Sequence, residues 1–544
     1  MPPISLPEPL RMAMDGWGGG MLTAASRARA QFLARADGVS SRTAAASHDM
    51  LSGVPLVLGT DCSGADAPVW ALRSLWPGRR FVHAFACDNW RAAENVVKAN
   101  SACAAFFADM LTRAPERVPH HNLYVCGFPC QPFSTLRQNS QLFAEAKAKP
   151  FRAMLRTMRA KRPQVAVLEN VRGIVRVRAR LERSLRSIGG YCVTILRLDP
   201  RTLGEPVCRP RVYIVCVRLD VLTCTSRSAA DQLASAVLES ITKPVQCSAP
   251  DRLLPNSHAL VSTHLSSAPS SRESMRQTRV ASTPRKWYDE HRLFRARLAR
   301  SGKASASAGG VPPARLVSGA RAKEAWELWC SARPSLTAAD ISQGITRVTC
   351  MENGCLPTIT PGSCIVVRSL NRAMLGIEKL LAHGFPLHRF VIPETTTESD
   401  LHRLGGQTMH VQCVAAAILI GCSLVDWSKP AARSGVTPPA LGDSWPVSWL
   451  GSWPVAARCD VGPKHARGGS DAATTGLPAA KRQKLAAPPR AKIASGTGTP
   501  KRRSDSSGRR AAKSAAKSAA AAARKRPPAA RDASGLLGLR ALFG

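Results

Sequence analysis

The stretch "VCGFPCQPFS", residues 125–134, runs an apolar strand into Gly127, Pro129 and Cys130, then a second proline and Ser134. A cysteine so placed is either packing material at a strand end, the commonest state of a free thiol, or a nucleophile held out from it. A thiol with a pKa of about 8.5 is only a few per cent thiolate near neutrality. The second role therefore needs positive potential nearby, which Arg209 and Arg211 in "GEPVCRPRVYIV" are placed to supply unless they are ordinary surface ion pairs. Glu169, in "VAVLENVRGIV", ends another apolar run, where it can cap the next helix, act as an acid, or do both. Asp88 closes "FVHAFACD", where an acid can bind a ribose hydroxyl pair, and Asp109 closes "FFAD". The first run, "LVLGTDCSGADAP", turns through the small residues Ser63 and Gly64 into a helical "VWALRSLW", whose first amides are free to face a ligand. A small turn followed by two acids on successive strand ends is what an adenosine-containing cofactor requires. Ordinary turn residues of any α/β protein would look similar.

The elements that must hold these residues follow from hydrophobic rhythm. From 55 to 219 short apolar runs alternate with amphipathic segments, the pattern of an α/β fold with a parallel sheet and crossover helices. Expected strands are "VPLVLGTD", "FVHAFACD", "NLYVCG", "VAVLEN", "YCVTILRL" and "VYIVCVRL", with a surface helix presenting Phe151, Leu155 and Met158. Open parallel sheets bind ligands at the carboxyl ends of their strands, so Cys130, Glu169, Asp88 and Asp109 can converge on one crevice. Between 221 and about 350 this rhythm is lost, and Ser, Ala, Arg and Pro rise. A compact stretch resumes at "LPTITPG" and ends in "VQCVAAAILIG", residues 411–421, about half of a bilayer span and expected to be a core helix, with no membrane association.

The chain has 544 residues, with 76 Lys plus Arg against 36 Asp plus Glu and a formal charge of +40. Such an excess points to a polyanionic partner. The 17 cysteines include no Cys-x-x-Cys pair and no secretory leader opens the chain, so reduced thiols in an intracellular setting are expected. Cys350, Cys355 and Cys364 lack regular spacing and paired histidines, and no metal is expected. "ASRARAQFLARA" has a transit-like Arg content, against which Glu8 and Asp15 count. Residues 459–544 hold 19 Lys plus Arg and 4 Asp with no apolar period, as a disordered basic tail does. Within it "PAAKRQKL" resembles a nuclear import signal, and "RRAAKSAAKSAAAAARKR" resembles linker-histone tails and suits chromatin contact.

The order "DCSG", "FACD", "FFAD", "GFPCQPFS", "LENVRG", "RPRVYIV", "PTIT", "HGFP", "GGQTMH" resembles the cytosine-5 DNA methyltransferase family over about 55–220 and 355–425. That resemblance implies a doubly wound, Rossmann-like sheet binding S-adenosylmethionine, with a smaller target-recognition domain across a DNA cleft. The implied layout is an N-terminal extension at 1–54, a catalytic domain at 55–220 completed by about 400–428, recognition at 221–399 and a basic tail at 429–544. By position, Cys130 would be the nucleophile, Glu169 the acid at ring nitrogen 3, and Asn170 a brace. Arg209 and Arg211 would be the catalytic Arg-x-Arg pair. Asp88 would hold the ribose and Asp109 the adenine, with Ser63, Gly64, Pro129 and Gln407 completing the cofactor site. The chemistry implied is addition of the thiolate to carbon 6 of a cytosine flipped out of double-stranded DNA, which makes carbon 5 nucleophilic.

Four positions depart from that pattern. Asn122 stands where an acid is usual, Val207 for Gln, Gln407 for Asn and Cys62 for an aromatic residue. A lost hydrogen bond at each costs about 1–3 kcal/mol if its partner is left buried, which favours a slowed enzyme over a dead one. RNA, such as tRNA, is the competing substrate, and a chromatin-binding protein with a vestigial methyltransferase fold is the competing function. The basic tail places the expected site of action in the nucleus.

Overall fold

The computed structural model describes residues 3–36, 54–133, 148–267, 286–300, 313–347 and 349–429. Ser134, the import-like stretch and the basic tail from residue 430 onward lie outside the described residues.

A seven-stranded sheet runs β3-β2-β1-β4-β5-β7-β6, from β1 (Val57–Asp61), β2 (Val82–Cys87), β3 (Phe106–Phe107), β4 (Leu123–Cys126), β5 (Val165–Val171), β6 (Tyr191–Leu198) and β7 (Arg211–Arg218). β1 pairs in parallel with both β2 and β4, so the strand order reverses there and a crevice opens beyond their carboxyl ends. The turns at 62–66 and 127–133 flank that crevice. All six expected strands form. The expectation of a parallel sheet needs one correction: β7 is antiparallel to both β5 and β6. The link from β6 to β7, residues 199–210, holds one 3-10 turn and no crossover helix, so the chain returns as a hairpin.

Successive residues of β5 serve opposite faces: Val165 and Val167 enter one apolar layer, Ala166 and Leu168 the other. Helices α1 (Glu8–Asp15), α2 (Trp17–Ala36), α3 (Ala67–Leu75) and α4 (Arg91–Asn100) precede α5 (Lys149–Lys161) and α6 (Arg178–Arg186). Both α5 and α6 cover one face, burying Phe151, Met154, Met158, Leu181 and Leu185. The other face is covered by α3, by α7 (Arg227–Ile241) and by the last helix, so the sheet is wound on both sides.

Further helices are α8 (Ala259–Ser267), α9 (Lys286–Arg300), α10 (Ala320–Ala332), α11 (Gly376–Ala382), α12 (Glu398–Gln407) and α13 (Val411–Ser423). Every residue of α13 is buried, as its all-round apolar sequence requires of a core helix. A Cβ on Gly421 would lie 2.6 Å from Val165 Cγ1, so a glycine is needed for this approach to the sheet. The N-terminal residues are integrated too. Ala25 of α2 is fully buried, and Arg29 donates from Nε to Ser423 O at 2.9 Å and from Nη2 to Val425 O at 3.2 Å.

A second, antiparallel sheet runs β11-β10-β8-β9, from β8 (Ala338–Asp340), β9 (Cys350–Met351), β10 (Ile365–Val367) and β11 (Arg372–Ala373). With α9 and α10 it encloses its own core of Trp326, Trp329, Leu336, Ile341 and Ile345, within the region expected to recognise the target.

Candidate active site

The turn after β1 is tightly wound. Cys62, Gly64 and Asp66 take φ of 53°, 54° and 60°, and the two non-glycine positions cost on the order of 1–3 kcal/mol each. Ser63 and Asp88 hold the turn in place. Ser63 Oγ accepts from Cys87 N at 3.1 Å and lies 2.8 Å from Thr60 Oγ1. Asp88 accepts from Gly64 N at 2.9 Å through Oδ2 and from Trp90 N at 3.0 Å through Oδ1. Burial pushes the Asp88 carboxyl up, against those two amides. A Cβ on Gly64 would point into open space, so the constraint at Gly64 is its backbone conformation and the space beside it is free. Arg403 of α12 lies 4.1 Å over the Trp90 ring. Asp109 begins the next turn, its Oδ1 accepting from Leu111 N at 2.8 Å, and Asp88 N donates to Phe107 O at 3.2 Å.

The loop carrying Pro129 and Cys130 is clamped at both ends. Asn170, fully buried, donates from Nδ2 to Phe128 O at 3.0 Å and accepts from Val171 N through Oδ1. Arg176 donates to Phe133 O at 3.1 Å, and Phe133 N donates to Cys130 O at 2.9 Å. Glu169 projects from β5 beside this loop. A Cβ on Gly127 would lie 3.7 Å from Glu169 Oε2 and 3.1 Å from Met409 Cε. Arg211 Nε sits 3.2 Å from Glu169 Oε1, both side chains nearly buried. Burial raises the Cys130 thiol above its ordinary value, and the Glu169 carboxylate raises it further, while Arg211 and Arg209 pull it down. The two arginines act in the direction expected of them, but burial outweighs them.

Arg209 does a different job from Arg211. Its guanidinium is buried and donates to Ile359 O at 2.7 Å, Thr408 O at 2.7 Å and Gly406 O at 3.4 Å. Burial and the neighbouring Arg211 lower it to about 9. It ties the arginine strand to "PTIT" and to the end of α12. Gly406 is needed at that junction, since a Cβ there would lie 2.1 Å from Pro361 N. Gln407 is exposed at the last turn of α12.

The departures are locally accommodated. Asn122 accepts from Val57 N and donates to Pro55 O, both at 2.8 Å, pinning the starts of β1 and β4 together. Val207 is buried and bridges to Leu356. Cys62 Sγ contacts Met110 Sδ at 3.8 Å. Among the described residues no cluster of three or more His, Cys, Asp or Glu could hold a metal ion.

Asp61, Asp66, Arg113, Tyr124 and Arg176 also shape the site and were not picked out from the sequence. Asp61 ends β1 as Asp88 follows β2, so the strand-end rule that selected Asp88 reaches it. Nothing in "ADMLTRAP" marks Arg113 among so many arginines.

Residues 64–419 match the family described as C-5 cytosine-specific DNA methylase. The chain belongs to that family. The matched span takes in Cys130, Glu169, Asn170, Arg209 and Arg211 and stops short of the N-terminal helices and the tail. Among curated members, the type II methyltransferase M.BanI of Aneurinibacillus aneurinilyticus is 36% identical over 102 residues, 18% of this chain and 23% of that protein. M.HaeII of Haemophilus aegyptius is 31% identical over 114 residues, 20% and 35% respectively. The matches thus span about a quarter to a third of these relatives. Among solved structures, the S. pombe Dnmt2 methyltransferase aligns with a TM-score of 0.38 and 16% identity over 67% of this chain and 97% of its own. A putative DNA modification methyltransferase from an E. coli prophage aligns with a TM-score of 0.41 and 15% identity over 67% and 98%.

Proposed function

We propose that this C-5 cytosine methylase family member moves a methyl group from S-adenosylmethionine to carbon 5 of a cytosine in double-stranded DNA, through a transient bond to Cys130. The observation that carries this reading is the docking of the Cys130 loop, through Asn170, onto the strand that presents the Arg211-paired Glu169.

The neighbouring strand ends fit the cofactor: a turn with open space beside Gly64, the Asp88 carboxylate next to it, and Asp109 on the adjoining strand. Ser63, Gly64, Asp88, Asp109, Pro129 and Gln407 are the residues assigned to hold it. When bound, the sulfonium supplies an electrophilic methyl group.

Cys130 must first give up its proton to solvent water, a step that its burial opposes and that Arg211 and Arg209 assist. Its sulfur then bonds to carbon 6 of the extruded base, and electron density moves to carbon 5. Glu169, sharing a proton at ring nitrogen 3, neutralises the charge that develops there, help worth typically about 10²–10⁴-fold. Arg211 fixes the orientation of that carboxyl, and Arg209 acts at one remove by holding the 359 and 406–408 segments. Once carbon 5 has taken the methyl group, loss of its proton to water expels the Cys130 sulfur.

Two supports bear on partner and place. The formal charge of +40 suits a polyanion, and the composition of residues 459–544 suits chromatin contact in the nucleus. A tagged chain lacking residues 478–485 is expected to leave the nucleus; retention there removes that assignment.

Full-length protein and methyl-labelled cofactor are to be incubated in parallel with duplex DNA and with tRNA. Label in DNA is expected, together with a denaturant-resistant adduct on 5-fluorocytosine DNA that disappears in Cys130→Ala. Label in tRNA alone overturns the choice of substrate, and absence of cofactor binding by calorimetry leaves only a vestigial fold.

A further inference from the structure

Beneath the cofactor-facing turns lies a buried ion pair to which none of the roles above assigns a function. Arg113 Nη2 sits 2.5 Å from Asp61 Oδ2, with side-chain exposures of 5% and 0%. The same nitrogen donates to Thr157 Oγ1 of α5 at 3.2 Å. The guanidinium lies 5.0 Å from the Phe85 ring and 5.1 Å from the Phe107 ring. Asp61 accepts a second bond from the Tyr124 hydroxyl at 2.5 Å. One planar group therefore joins the ends of β1, β2 and β3 to α5, and through Asp61 it reaches β4.

Two charges removed from water are no better for stability than apolar packing of the same volume, so their distinctive contribution is direction. Here the direction is specific. Asp109 and Arg113 are the two ends of one turn, closed by Arg113 N donating to Asp109 O at 3.3 Å and by Leu111 N donating to the Asp109 carboxylate. Asp88 N donates to Phe107 O one strand away, so the two acids share this foundation.

We propose that Arg113 is a positioning residue for the cofactor: anchored on Asp61, it sets where the 109–113 turn holds the Asp109 carboxylate relative to Asp88. This rests on the reading of Asp109 as a cofactor-facing group. Both polar bonds come from Nη2 alone, so lysine would keep the charge and a donor for Asp61 but lose the planar group set against the Phe85 and Phe107 rings.

The test is calorimetry of S-adenosylmethionine and S-adenosylhomocysteine on the full chain, with steady-state kinetics alongside. Arg113→Lys is expected to weaken both ligands about tenfold, to raise the cofactor KM by a similar factor and to leave the DNA KM unchanged. In an Asp109→Ala background the same substitution should cost less than about threefold, because the group it positions is gone. A purely structural arginine would lower the melting temperature and the active fraction without that split. A Kd within about twofold of wild type, or full additivity with Asp109→Ala, overturns the proposal. Should Arg113→Lys not fold, Tyr124→Phe keeps both charges and removes one bond to Asp61. It is expected to weaken cofactor binding several-fold, and an unchanged Kd overturns the proposal equally. Wild-type protein that binds neither ligand defeats the cofactor reading itself, whereas wild-type binding with indifferent variants defeats only the role of Arg113.

Discussion

Cys130 is under opposed influences. Burial and Glu169 hold its proton on, and the two arginines draw it off. Glu169→Gln removes one of the groups raising the thiol and leaves the Arg211 charge without its partner. At fixed pH the variant should therefore alkylate faster at Cys130 with iodoacetamide, read by mass spectrometry of the peptide, while methyl transfer falls by about 10²-fold or more. Slower alkylation would mean that Glu169 does not face the sulfur. Asp66 offers a second test. Burial raises its carboxyl from 3.8 to about 7, while burial lowers the neighbouring His83 to about 3, so near pH 6 their 3.6 Å approach is between neutral groups. A carboxyl raised in the fold contributes fully at low pH and loses that contribution as pH climbs through the folded value. Asp66→Asn mimics the neutral form and suits the φ of 60°. It should melt like wild type near pH 4 and be more stable above pH 8, by on the order of 3 kcal/mol. Site residues at strand ends were legible in the sequence because a small turn or an acid after an apolar run has few other reasons to be there. The different work of Arg209 and Arg211 was not, since Arg209 takes partners 150 to 199 positions further on while Arg211 turns back to Glu169 on the neighbouring strand.

Among the elements, the sheet was largely readable because a strand buried on both faces leaves a continuous apolar run, and six runs gave six strands. Direction was less readable: β7 has the same composition whether it returns parallel or antiparallel, and only the missing crossover helix before it tells. The place of α2 was not readable from the sequence, because its buried positions meet α3, α7 and α13, far apart along the chain. The joint between the small sheet and the helical layer depends on a fully buried pair. Arg372 bonds Glu378 through Nη1 at 2.7 Å and Nη2 at 2.8 Å, and Glu378 also accepts from Leu254 N and Leu375 N. Glu378→Ala leaves a buried guanidinium uncompensated and should lower the unfolding free energy by about 3–5 kcal/mol in urea titrations. The double variant Arg372→Met, Glu378→Leu should recover only part of it, because the Leu254 and Leu375 amides stay without an acceptor. A loss under about 1 kcal/mol for the single variant would show that water reaches the site.

For the whole molecule, positive charge governs the encounter with a partner. A chain with a formal charge of +40 that neutralises six to ten phosphates should lose about 10³–10⁵ in DNA affinity between 50 and 200 mM salt, as read by fluorescence anisotropy. A flat titration would remove DNA as the partner. The fully enclosed α13 has a further consequence. It packs against β5 and the first helices of the chain, yet it is made some 240 residues after β5. A ribosome must therefore deliver almost the entire domain before that face of the sheet can be sealed, and until then apolar residues of the nascent strands stay uncovered there. Expressed as two pieces divided within residues 301–312, the halves should be insoluble apart and should regain activity only when synthesised together.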